Sequence, residues 1–252
     1  MIRPRLLLIL LASAVVVAAG SAGAVRTAHA APPPVVVTLG FDDGYLDQYQ
    51  NAFPLLQAHG LHATFFINTG LLGQSDRMTY AQLTEMAAAG EEIGGHTLVH
   101  KNLKHLKPAA LQDQICTDRQ NLLDHGFAAT SFAYPFGAWD AQVRQQVIDC
   151  GYSSARTVSG GTESIPPLDA WATRTPPNPK QKTTVATLES YVTAAQTGGG
   201  GWVQFVFHHA CVKCDTYAIT PTKLDEFLTW LNDQSVNGVT VKTTGQVISG
   251  TP

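Results

Sequence analysis

The chain has 252 residues, of which 44% are hydrophobic, 14% are charged and 8% are aromatic. This composition excludes a wholly disordered chain, and the length allows one large domain or two small ones. The 16 basic and 19 acidic residues give a formal charge of −3, so nothing in the composition indicates a nucleic-acid partner.

The first part of the chain has the pattern of an export signal. Arg3 and Arg5 form a basic start, and the apolar run Leu6–Ala19 follows with one serine in it. Ala28-His29-Ala30 then fits a small-x-small cleavage site. We therefore expect residues 1–30 to be a signal peptide that is removed.

The mature protein is then expected to consist of residues 31–252 as one catalytic domain. The alternative is an uncleaved membrane anchor that runs from Leu6 to about Val25. With cleavage, the mature chain has no membrane contact and is secreted or held in the cell envelope, and we expect it to be a monomer.

One pattern recurs along the mature chain: a helix-like stretch, a glycine, and a short apolar strand. The predicted helices are Leu46–His59, Thr79–Ala89, Pro108–His125, Asp140–Cys150 and a last one from Pro221 to near Gly238. A glycine just past each helix favours a left-handed cap, and alternating helices and strands predict a parallel sheet with crossover helices. Six or seven such units indicate an α/β fold, a deformed (β/α) barrel in a single domain, with an open doubly wound sheet as the alternative. Residues 157–183 contain five prolines and are predicted to form a long irregular loop.

Four cysteines support the exported location, because an even number in an exported chain favours disulfides. Four cysteines allow three pairings, so the sequence does not determine which one forms. Our preferred pairing is Cys116–Cys150 between neighbouring helices and Cys211–Cys214 as a local staple. Half of a zinc site or a redox pair is the alternative for the C-x-x-C segment, disfavoured because the chain has no second C-x-x-C.

Polar residues that directly follow predicted strands are the candidates for chemistry, because catalytic groups of α/β barrels lie at the C-terminal strand ends. The strand Val35–Phe41 is followed by Asp42-Asp43-Gly44. Two adjacent carboxylates repel each other unless a cation or a proton lies between them. The alternative is a plain Asp-Gly turn with a solvated neighbour.

His96 and His100 follow a strand that ends in two glycines. Their spacing would place both imidazoles on one face of a helical turn, as zinc ligation requires. With Asp43 they form a set of two histidines and one carboxylate, which leaves open positions for water and substrate. Two surface histidines are the alternative.

Two later strand ends complete the candidate set. Pro135-Phe136-Gly137 forms a corner that can aim a backbone N–H at a developing oxyanion, although an ordinary turn fits as well. The strand Trp202–Phe207 is followed by His208 and His209. Only one of these histidines should face the site, because successive strand residues point to opposite faces. A structural histidine is the alternative.

These four segments, in this order, resemble the polysaccharide deacetylases of carbohydrate esterase family four, which share the NodB homology domain. Phe41-Asp42-Asp43-Gly44 is similar to the T-F-D-D-G motif, and His96-Thr97-Leu98-Val99-His100 to the H-[ST]-x-x-H motif. Tyr134-Pro135-Phe136-Gly137 is similar to the end of the R-x-P-[YF]-G motif, and Val206-Phe207-His208 to the late L-x-H motif. The resemblance covers roughly residues 35–245.

The resemblance implies a deformed (β/α) barrel and a divalent metal, usually Zn²⁺. By the same resemblance, Asp43, His96 and His100 bind the metal and Asp42 is the general base. Many members have an arginine that orients this base where the present chain has Ala133. Its replacement by Arg156 or Arg174 is left open by the sequence.

The remaining roles also come from the resemblance. The backbone N–H of Phe136 would help to hold the oxyanion, and His208 would be the general acid. His209 is the alternative acid if the strand phase is shifted by one residue. Asp169 and Asp215 are both candidate partners for that histidine.

The expected function is an exported, metal-dependent hydrolase that removes acetyl groups, above all N-acetyl groups, from an acetylated polysaccharide or oligosaccharide. An amide is unreactive, so its hydrolysis needs a Lewis acid, an activated water and a proton for the leaving amine. The absence of the motif arginine motivates one alternative, a carbohydrate-binding deacetylase-like protein with impaired catalysis. Another kind of metal hydrolase is disfavoured, because the chain has no H-E-x-x-H motif.

Overall fold

Eight parallel strands form the central sheet of residues 34–250, the part of the chain that the computed structural model describes. The predicted signal peptide at residues 1–30 lies outside the described residues. In chain order the strands are β1 (Val35–Asp42), β2 (Thr64–Ile67), β3 (Glu92–Gly95), β4 (Ser131–Ala133), β5 (Ser154–Gly160), β6 (Thr173–Thr175), β7 (Gly201–Phe207), β8 (His209–Ala210), β9 (Ala218–Ile219) and β10 (Val239–Val241). The short strands β8 and β9 pair only with each other in a second, two-stranded sheet.

The longest strand, β1, organises the barrel. It pairs with β7 along one edge, while β10 and then β2 share its other edge, and β3 to β6 follow β2 in order. Between β6 and β7 the Gln204 side chain donates a hydrogen bond of 2.7 Å to the Arg174 carbonyl. The sheet is therefore nearly closed, which confirms the predicted deformed (β/α) barrel and not the open doubly wound sheet.

Helices connect successive strands of the barrel. They are α1 (Phe53–His59), α2 (Tyr80–Ala88), α3 (Pro108–Gln112), α4 (Asp118–Asp124), α5 (Ala141–Asp149), α6 (Val185–Thr197), α7 (Pro221–Asp233) and α8 (Thr244–Ser249). Thr79 and Gln82 form a capping box at the start of α2, and, as predicted for a glycine just past a helix, Gly60 ends α1 in the left-handed conformation. Among residues 34–250, no helix has the length and apolar character needed to cross a membrane.

Three features differ from the predicted elements. The first predicted helix begins with a π-helical turn, Gln48–Ala52, and a second π-helical turn, Asp113–Thr117, separates α3 from α4. The segment 157–183 is not wholly irregular, because it contains the end of β5 and the whole of β6. This short strand was not predicted from the sequence, because the prolines around it interrupt the alternation of apolar and polar residues that is typical of a strand.

Alternate strand residues form two layers, because side chains of a strand point in turn to opposite faces. In the outer layer Phe41 stacks on Phe65 and Phe207 at 5.0 and 5.2 Å between ring centroids. The inner layer has little room for side chains between neighbouring strands. A Cβ at Gly94 in β3 would lie only 2.8 Å from the Ser131 carbonyl oxygen in β4. Small inner residues of this kind leave room for polar side chains at one end of the barrel.

Both preferred disulfides are present. Cys116 in the second π-helical turn is joined to Cys150 at the end of α5, and Cys211 is joined to Cys214 in the loop between β8 and β9. The first crosslinks neighbouring helical segments, and the second closes a local loop, as predicted.

Candidate active site

The structure brings all six predicted site residues to one pocket at the C-terminal ends of the barrel strands. They are Asp42, Asp43, His96, His100, Phe136 and His208. Asp42 is the last residue of β1, and the other five follow the ends of β1, β3, β4 and β7. The parallel arrangement thus gathers residues that are up to 166 positions apart in the chain, as expected for an α/β barrel.

The two adjacent carboxylates share this pocket because the backbone turns sharply between them. Asp43 has a φ of 76°, in the left-handed region, and its carbonyl accepts a 2.7 Å hydrogen bond from Arg77 Nη1. In a continuous strand, successive side chains would point to opposite faces. The turn therefore directs the carboxylate of Asp43 to the same side as that of Asp42.

His96 and His100 meet Asp43 through a loop and not through a helical turn, so the predicted helical spacing is wrong. Thr97 and His100 have φ values of 74° and 54°, and the Thr97 hydroxyl accepts a 3.0 Å hydrogen bond from the His100 N–H. The Nε2 atoms of His96 and His100 lie 3.7 and 3.6 Å from Asp43 Oδ1. One donor atom from each of the three residues lies within 4.8 Å of the others.

One nitrogen of His96 is free for a metal. Its Nδ1 lies 2.7 Å from the Ala133 carbonyl oxygen, which can only accept, so Nδ1 carries the proton and Nε2 holds a lone pair. That Nε2 is buried and has no hydrogen-bond partner within residues 34–250. Burial lowers the pKa of His96 to about 3, which keeps the imidazole neutral. A buried lone pair beside a carboxylate fits a divalent cation, which would satisfy it.

Two buried polar residues hold the histidine loop. Asp118 accepts backbone N–H groups of His96 and Thr97 at 3.2 and 3.1 Å, and Asn68 donates its side-chain amide to the carbonyls of the same two residues. Burial raises the pKa of Asp118 to about 7. Neither residue was predicted from the sequence, because each lies in an ordinary helix or turn without a motif.

Asp42 is held by an arginine from another strand. Burial by itself would raise the pKa of Asp42, but the charge of Arg156, supported by His96 and His208, lowers it to about 2. Arg156 Nη2 donates a short hydrogen bond to Asp42 Oδ1, and both residues are 2% exposed. The guanidinium also lies over the Phe66 ring, 4.7 Å from its centroid.

This contact resolves the alternative that the sequence left open. Arg156 in β5 is the direct register partner of Ala133 in β4, the position at which the motif arginine is missing. Arg174, the other candidate, binds Glu163 at 2.9 Å. An arginine on the adjacent strand therefore contacts the carboxylate of Asp42.

The carboxylate of Asp43 lies in the opposite electrostatic environment from that of Asp42. Burial and the neighbouring charge of Asp42 raise the pKa of Asp43 to about 6. A positive charge placed between the carboxylate and the two imidazoles would offset both effects. The pair is thus arranged as one firmly ionised carboxylate beside one that needs a cation to remain ionised.

The histidines after β7 have different surroundings. His209 Nδ1 lies 2.7 Å from Asp47 Oδ2, and its ring stacks on Tyr45 at 3.7 Å. His208 Nδ1 is buried and has no hydrogen-bond partner among the described residues. Both rings line the pocket, but only His208 is free of a carboxylate contact.

Neither carboxylate proposed as a partner of His208 is bonded to it. Asp169 binds Arg144 through two hydrogen bonds of 2.7 and 2.9 Å. Asp215 lines the pocket, and its carboxylate accepts the backbone N–H of Tyr217 at 2.7 Å. The sequence presented both carboxylates only as candidates, and in the structure each of them bonds to another group.

Gln48 links the two strand ends that carry the candidate base and acid. Its fully buried side-chain amide donates to the carbonyls of Asp42 and His208 at 2.5 and 2.6 Å. This residue was not predicted from the sequence either, because it lies inside the predicted helix Leu46–His59. The amide fixes the separation of two backbone segments that are 166 residues apart.

Phe136 forms the outer rim. It lies in the 3₁₀ turn Pro135–Gly137 with a φ of 60°, and its ring is 62% exposed. The ring meets His100 edge-on, with 4.5 Å between the centroids. The corner predicted from Pro135 and Gly137 is therefore present beside the histidine loop.

Several known proteins are similar to this chain in sequence. The family model described as "Polysaccharide deacetylase" matches residues 29–155. A Bacillus subtilis protein named polysaccharide deacetylase YxkH is 34% identical over 130 residues, which are 51% of this chain and 46% of that protein. A chitin deacetylase of Pestalotiopsis is 36% identical over 77 residues, 31% of this chain and 26% of that enzyme. The chain thus spans less than half of the length of these curated relatives.

Solved structures share the fold at lower sequence identity. A family 4 acetyl xylan esterase from Clostridium thermocellum, in complex with a cobalt ion, has a TM-score of 0.62 and 19% identity, covering 86% of this chain and 93% of that one. A family 4 pseudoenzyme from Bacillus anthracis has a TM-score of 0.61 and 17% identity, covering 86% and 66%. At these identities the similarity concerns the barrel fold.

Proposed function

This chain belongs to the polysaccharide deacetylase family, and on that premise we propose that it is an exported, metal-dependent hydrolase that removes acetyl groups, above all N-acetyl groups, from a polysaccharide. One observation carries the proposal. The donor atoms of Asp43, His96 and His100 meet beside Asp42, a buried carboxylate paired with Arg156, in one open pocket.

Three residues would hold the metal. Asp43, His96 and His100 present one carboxylate and two imidazoles, a donor set that suits zinc and leaves coordination positions open. The cobalt ion in the Clostridium esterase of similar fold supports a divalent cation. When bound, such a cation polarises the acetyl carbonyl and makes a water molecule more acidic.

Asp42 is the proposed general base, and one oxygen atom is available for that role. Its Oδ1 is occupied by Arg156, whereas Oδ2 lies 3.8 Å from His96 Nε2 at the floor of the pocket. A pKa of about 2 keeps this carboxylate ionised over the whole working range. We therefore assign the acceptance of the water proton to Oδ2, with Arg156 holding the carboxylate in position.

The leaving amine needs a proton, and His208 is the proposed donor. It lines the pocket and has no carboxylate partner, whereas His209 is bonded to Asp47. The backbone N–H of Phe136, at the rim beside His100, is proposed to stabilise the developing negative charge on the acetyl oxygen. Gln48 would keep base and acid at a constant separation.

The segment 157–183 is proposed to select the polysaccharide. Val158 and Asn178 from this segment line the pocket wall. Irregular segments on a rigid barrel vary most easily without loss of the fold, so they suit the recognition of sugars around the acetyl group.

The alternative, a carbohydrate-binding protein with impaired catalysis, was motivated by Ala133. The contact between Arg156 and Asp42 removes that motive, because an arginine reaches the carboxylate from the neighbouring strand. The two functions nevertheless give different results in a single set of measurements.

Acetate release tests the proposal. The purified chain is incubated with acetylated chitooligosaccharide, peptidoglycan and acetylxylan, with and without a chelator, and Asp42→Asn serves as the matched inactive variant. We expect acetate from at least one substrate, its loss on chelation and its return with added Zn²⁺. If no substrate yields acetate while both proteins bind glycan equally well, the chain is a binding protein and the proposed hydrolase is wrong.

A further inference from the structure

A second group of side chains of metal-ligating types lies at the edge of the pocket, where His209 is part of the wall, and takes no part in the proposed hydrolysis. One donor atom from each of Asp47, His209, Cys211 and Cys214 lies within 4.8 Å of the others. The four residues come from the turn before the first π-helical turn, from β8 and from the loop that follows it. None of them belongs to the Asp43, His96 and His100 group.

The chemistry of these four donors fits zinc. Two thiolates, one imidazole and one carboxylate make a four-coordinate set of the kind that closes a structural zinc site, and C-x-x-C is the usual spacing of the sulfur ligands. The sequence suggested only half of a zinc site at Cys211 and Cys214. The tertiary structure supplies the other half, because Asp47 and His209 lie 162 residues apart in the chain but 2.7 Å apart in space.

The surrounding contacts already orient the donors. Asp47 Oδ1 accepts the Ala210 N–H at 3.1 Å, and the His209 ring is stacked on Tyr45. The Cys211 N–H donates to the Ile219 carbonyl at 2.9 Å, which anchors the start of the loop to β9. Such outer contacts are typical of metal ligands, because they fix the direction of each lone pair before the ion binds.

In the structure the two sulfur atoms are joined as a disulfide. A disulfide sulfur carries no negative charge, and the thiolate is the form that binds metals. In this oxidised form only the Asp47–His209 pair remains, with 2.7 Å between His209 Nδ1 and Asp47 Oδ2. The disulfide and a bound zinc ion are therefore mutually exclusive states of the same four residues.

We propose that this group is a redox-controlled zinc site. A dithiol reductant transfers two electrons and two protons to the Cys211–Cys214 disulfide and itself becomes a disulfide. The two thiols then lose their protons and bind one Zn²⁺ together with Asp47 and His209. Reoxidation by a disulfide oxidant takes two electrons from the sulfurs, re-forms their bond and releases the ion.

The site would influence the pocket through the loop that it holds. The loop between β8 and β9 carries Tyr217, whose ring lies 5.3 Å from that of His208, and both residues line the pocket. Zinc would tie the loop to Asp47, whereas the disulfide ties the loop only to itself. The proposed zinc site is independent of the proposed hydrolysis. Its ligands differ from those of the metal in the pocket, and it is detected by cobalt absorption and not by acetate release.

Cobalt binding to the full chain tests the inference. The protein is reduced with dithiothreitol, desalted without oxygen and titrated with Co²⁺, which gives a near-ultraviolet sulfur-to-cobalt charge-transfer absorption only when thiolates bind it. We expect one equivalent with this absorption, its loss when Zn²⁺ is added, and no such absorption in the unreduced protein.

Matched variants separate this site from the pocket and from the other cysteines. The absorption should persist in Asp43→Asn and in Cys116→Ser/Cys150→Ser, and it should vanish in Cys211→Ser/Cys214→Ser. Asp47→Ala and His209→Ala should each weaken Co²⁺ binding at this site by about tenfold or more. Circular dichroism checks that each variant is folded.

Alkylation offers a second readout that does not depend on the fold of the cysteine variants. In the reduced wild-type chain, Zn²⁺ should protect Cys211 and Cys214 from iodoacetamide, while Cys116 and Cys150 keep their reactivity. The inference is wrong if reduction adds no thiolate-bound Co²⁺, if the absorption survives the loss of Cys211 and Cys214, or if Asp47→Ala and His209→Ala leave the affinity unchanged.

Discussion

Arg156 and Asp42 form a hydrogen-bonded ion pair that solvent scarcely reaches, each with 2% of its surface exposed. The arginine stands opposite Ala133 in the ladder between β4 and β5, so the guanidinium enters the site from the strand next to the one that carries the motif. A carboxylate buried without this partner would have its pKa raised by desolvation. The ion pair thus determines both the charge and the orientation of the proposed base.

Removal of this arginine should impair the base. We expect Arg156→Ala to lower kcat/KM by about 100-fold, because the carboxylate loses its orientation. The acidic limb of the pH–rate profile should also move to higher pH, since burial then raises the pKa of Asp42 without opposition. Steady-state rates of acetate release between pH 4 and 9 measure both effects.

Two further variants show whether this effect is specific. Arg156→Lys should recover part of the rate, because the charge is kept while the planar guanidinium that bonds both Asp42 and the Thr157 carbonyl is lost. Arg174→Ala, which removes an arginine that binds Glu163 instead, should leave the pH–rate profile unchanged. An Arg156→Ala enzyme with a wild-type rate and profile would contradict the assigned role.

Loss of a proposed metal ligand should remove metal and activity together. His96→Ala and Asp43→Ala are expected to bind less than a tenth of the wild-type metal, because the donor set falls from three protein ligands to two. Elemental analysis after dialysis measures the metal content, and acetate release measures activity. The exposed His105→Ala is the matched control, and a His96→Ala protein with full metal content would exclude this site.

Substitutions of the two consecutive histidines should lower kcat to different extents. His208→Ala is expected to lower kcat by roughly 100- to 1,000-fold through loss of the proton donor, with little change in KM. His209→Gln should have a much smaller effect on kcat, because that ring is bonded to Asp47. The opposite order would assign the acid to His209.

The distance between the proposed base Asp42 and the proposed acid His208 should depend on Gln48. Gln48→Met removes both N–H donors at similar size, so the ends of β1 and β7 lose their common link. We expect kcat to fall by about tenfold or more, with KM within twofold, because misplacement of reacting groups acts on the chemical step. Gln181→Met, at an exposed glutamine that donates to the Asp215 carbonyl, is the control.

Glu91 should make the fold less stable as pH rises. Burial raises the pKa of Glu91 to about 7 in the folded chain, against 4.5 as its ordinary value. The folded state therefore keeps a proton that the unfolded state has lost between about pH 4.5 and 7, so the free energy of unfolding falls as pH rises through this window. Over this window the free energy of unfolding falls by at most about 3 kcal/mol.

Urea unfolding at several pH values between 4.5 and 8 measures this dependence. Glu91→Gln should reduce the slope, because the amide does not ionise, while the part that comes from Asp118, whose pKa burial also raises to about 7, should remain. The exposed Glu85→Gln should leave the slope as in the wild type. A Glu91→Gln protein that keeps the full slope would show that another group titrates in this window.

The order of elements and the identity of most site residues were accessible from the chain itself. Glycines just past helices are local signals, and they predicted where helices such as α1 end. The proposed metal ligands follow strand ends, and parallel strands bring such ends to one side of a barrel. These inferences depend only on neighbouring residues and on the common direction of the strands.

The partners of these residues were not accessible in the same way. Nothing near Arg156 in the chain indicates that it reaches Asp42 and Arg174 does not, since the choice follows from the register of β4 with β5. The helical turn expected between His96 and His100 was wrong, because backbone bonds to Asp118 and Asn68 hold a loop there.

The sequence by itself therefore predicted the type of fold and the residues gathered at the pocket, and it favoured one of the three possible disulfide pairings without determining it. Only the tertiary structure decided that Arg156 contacts the proposed base Asp42, that His209 pairs with Asp47, and that Asp47 completes a group with Cys211 and Cys214. Periodicity, caps and motif spacing act over a few residues, whereas these contacts join segments more than 100 positions apart. Their geometry depends on strand register and barrel closure, which are properties of the whole packed chain.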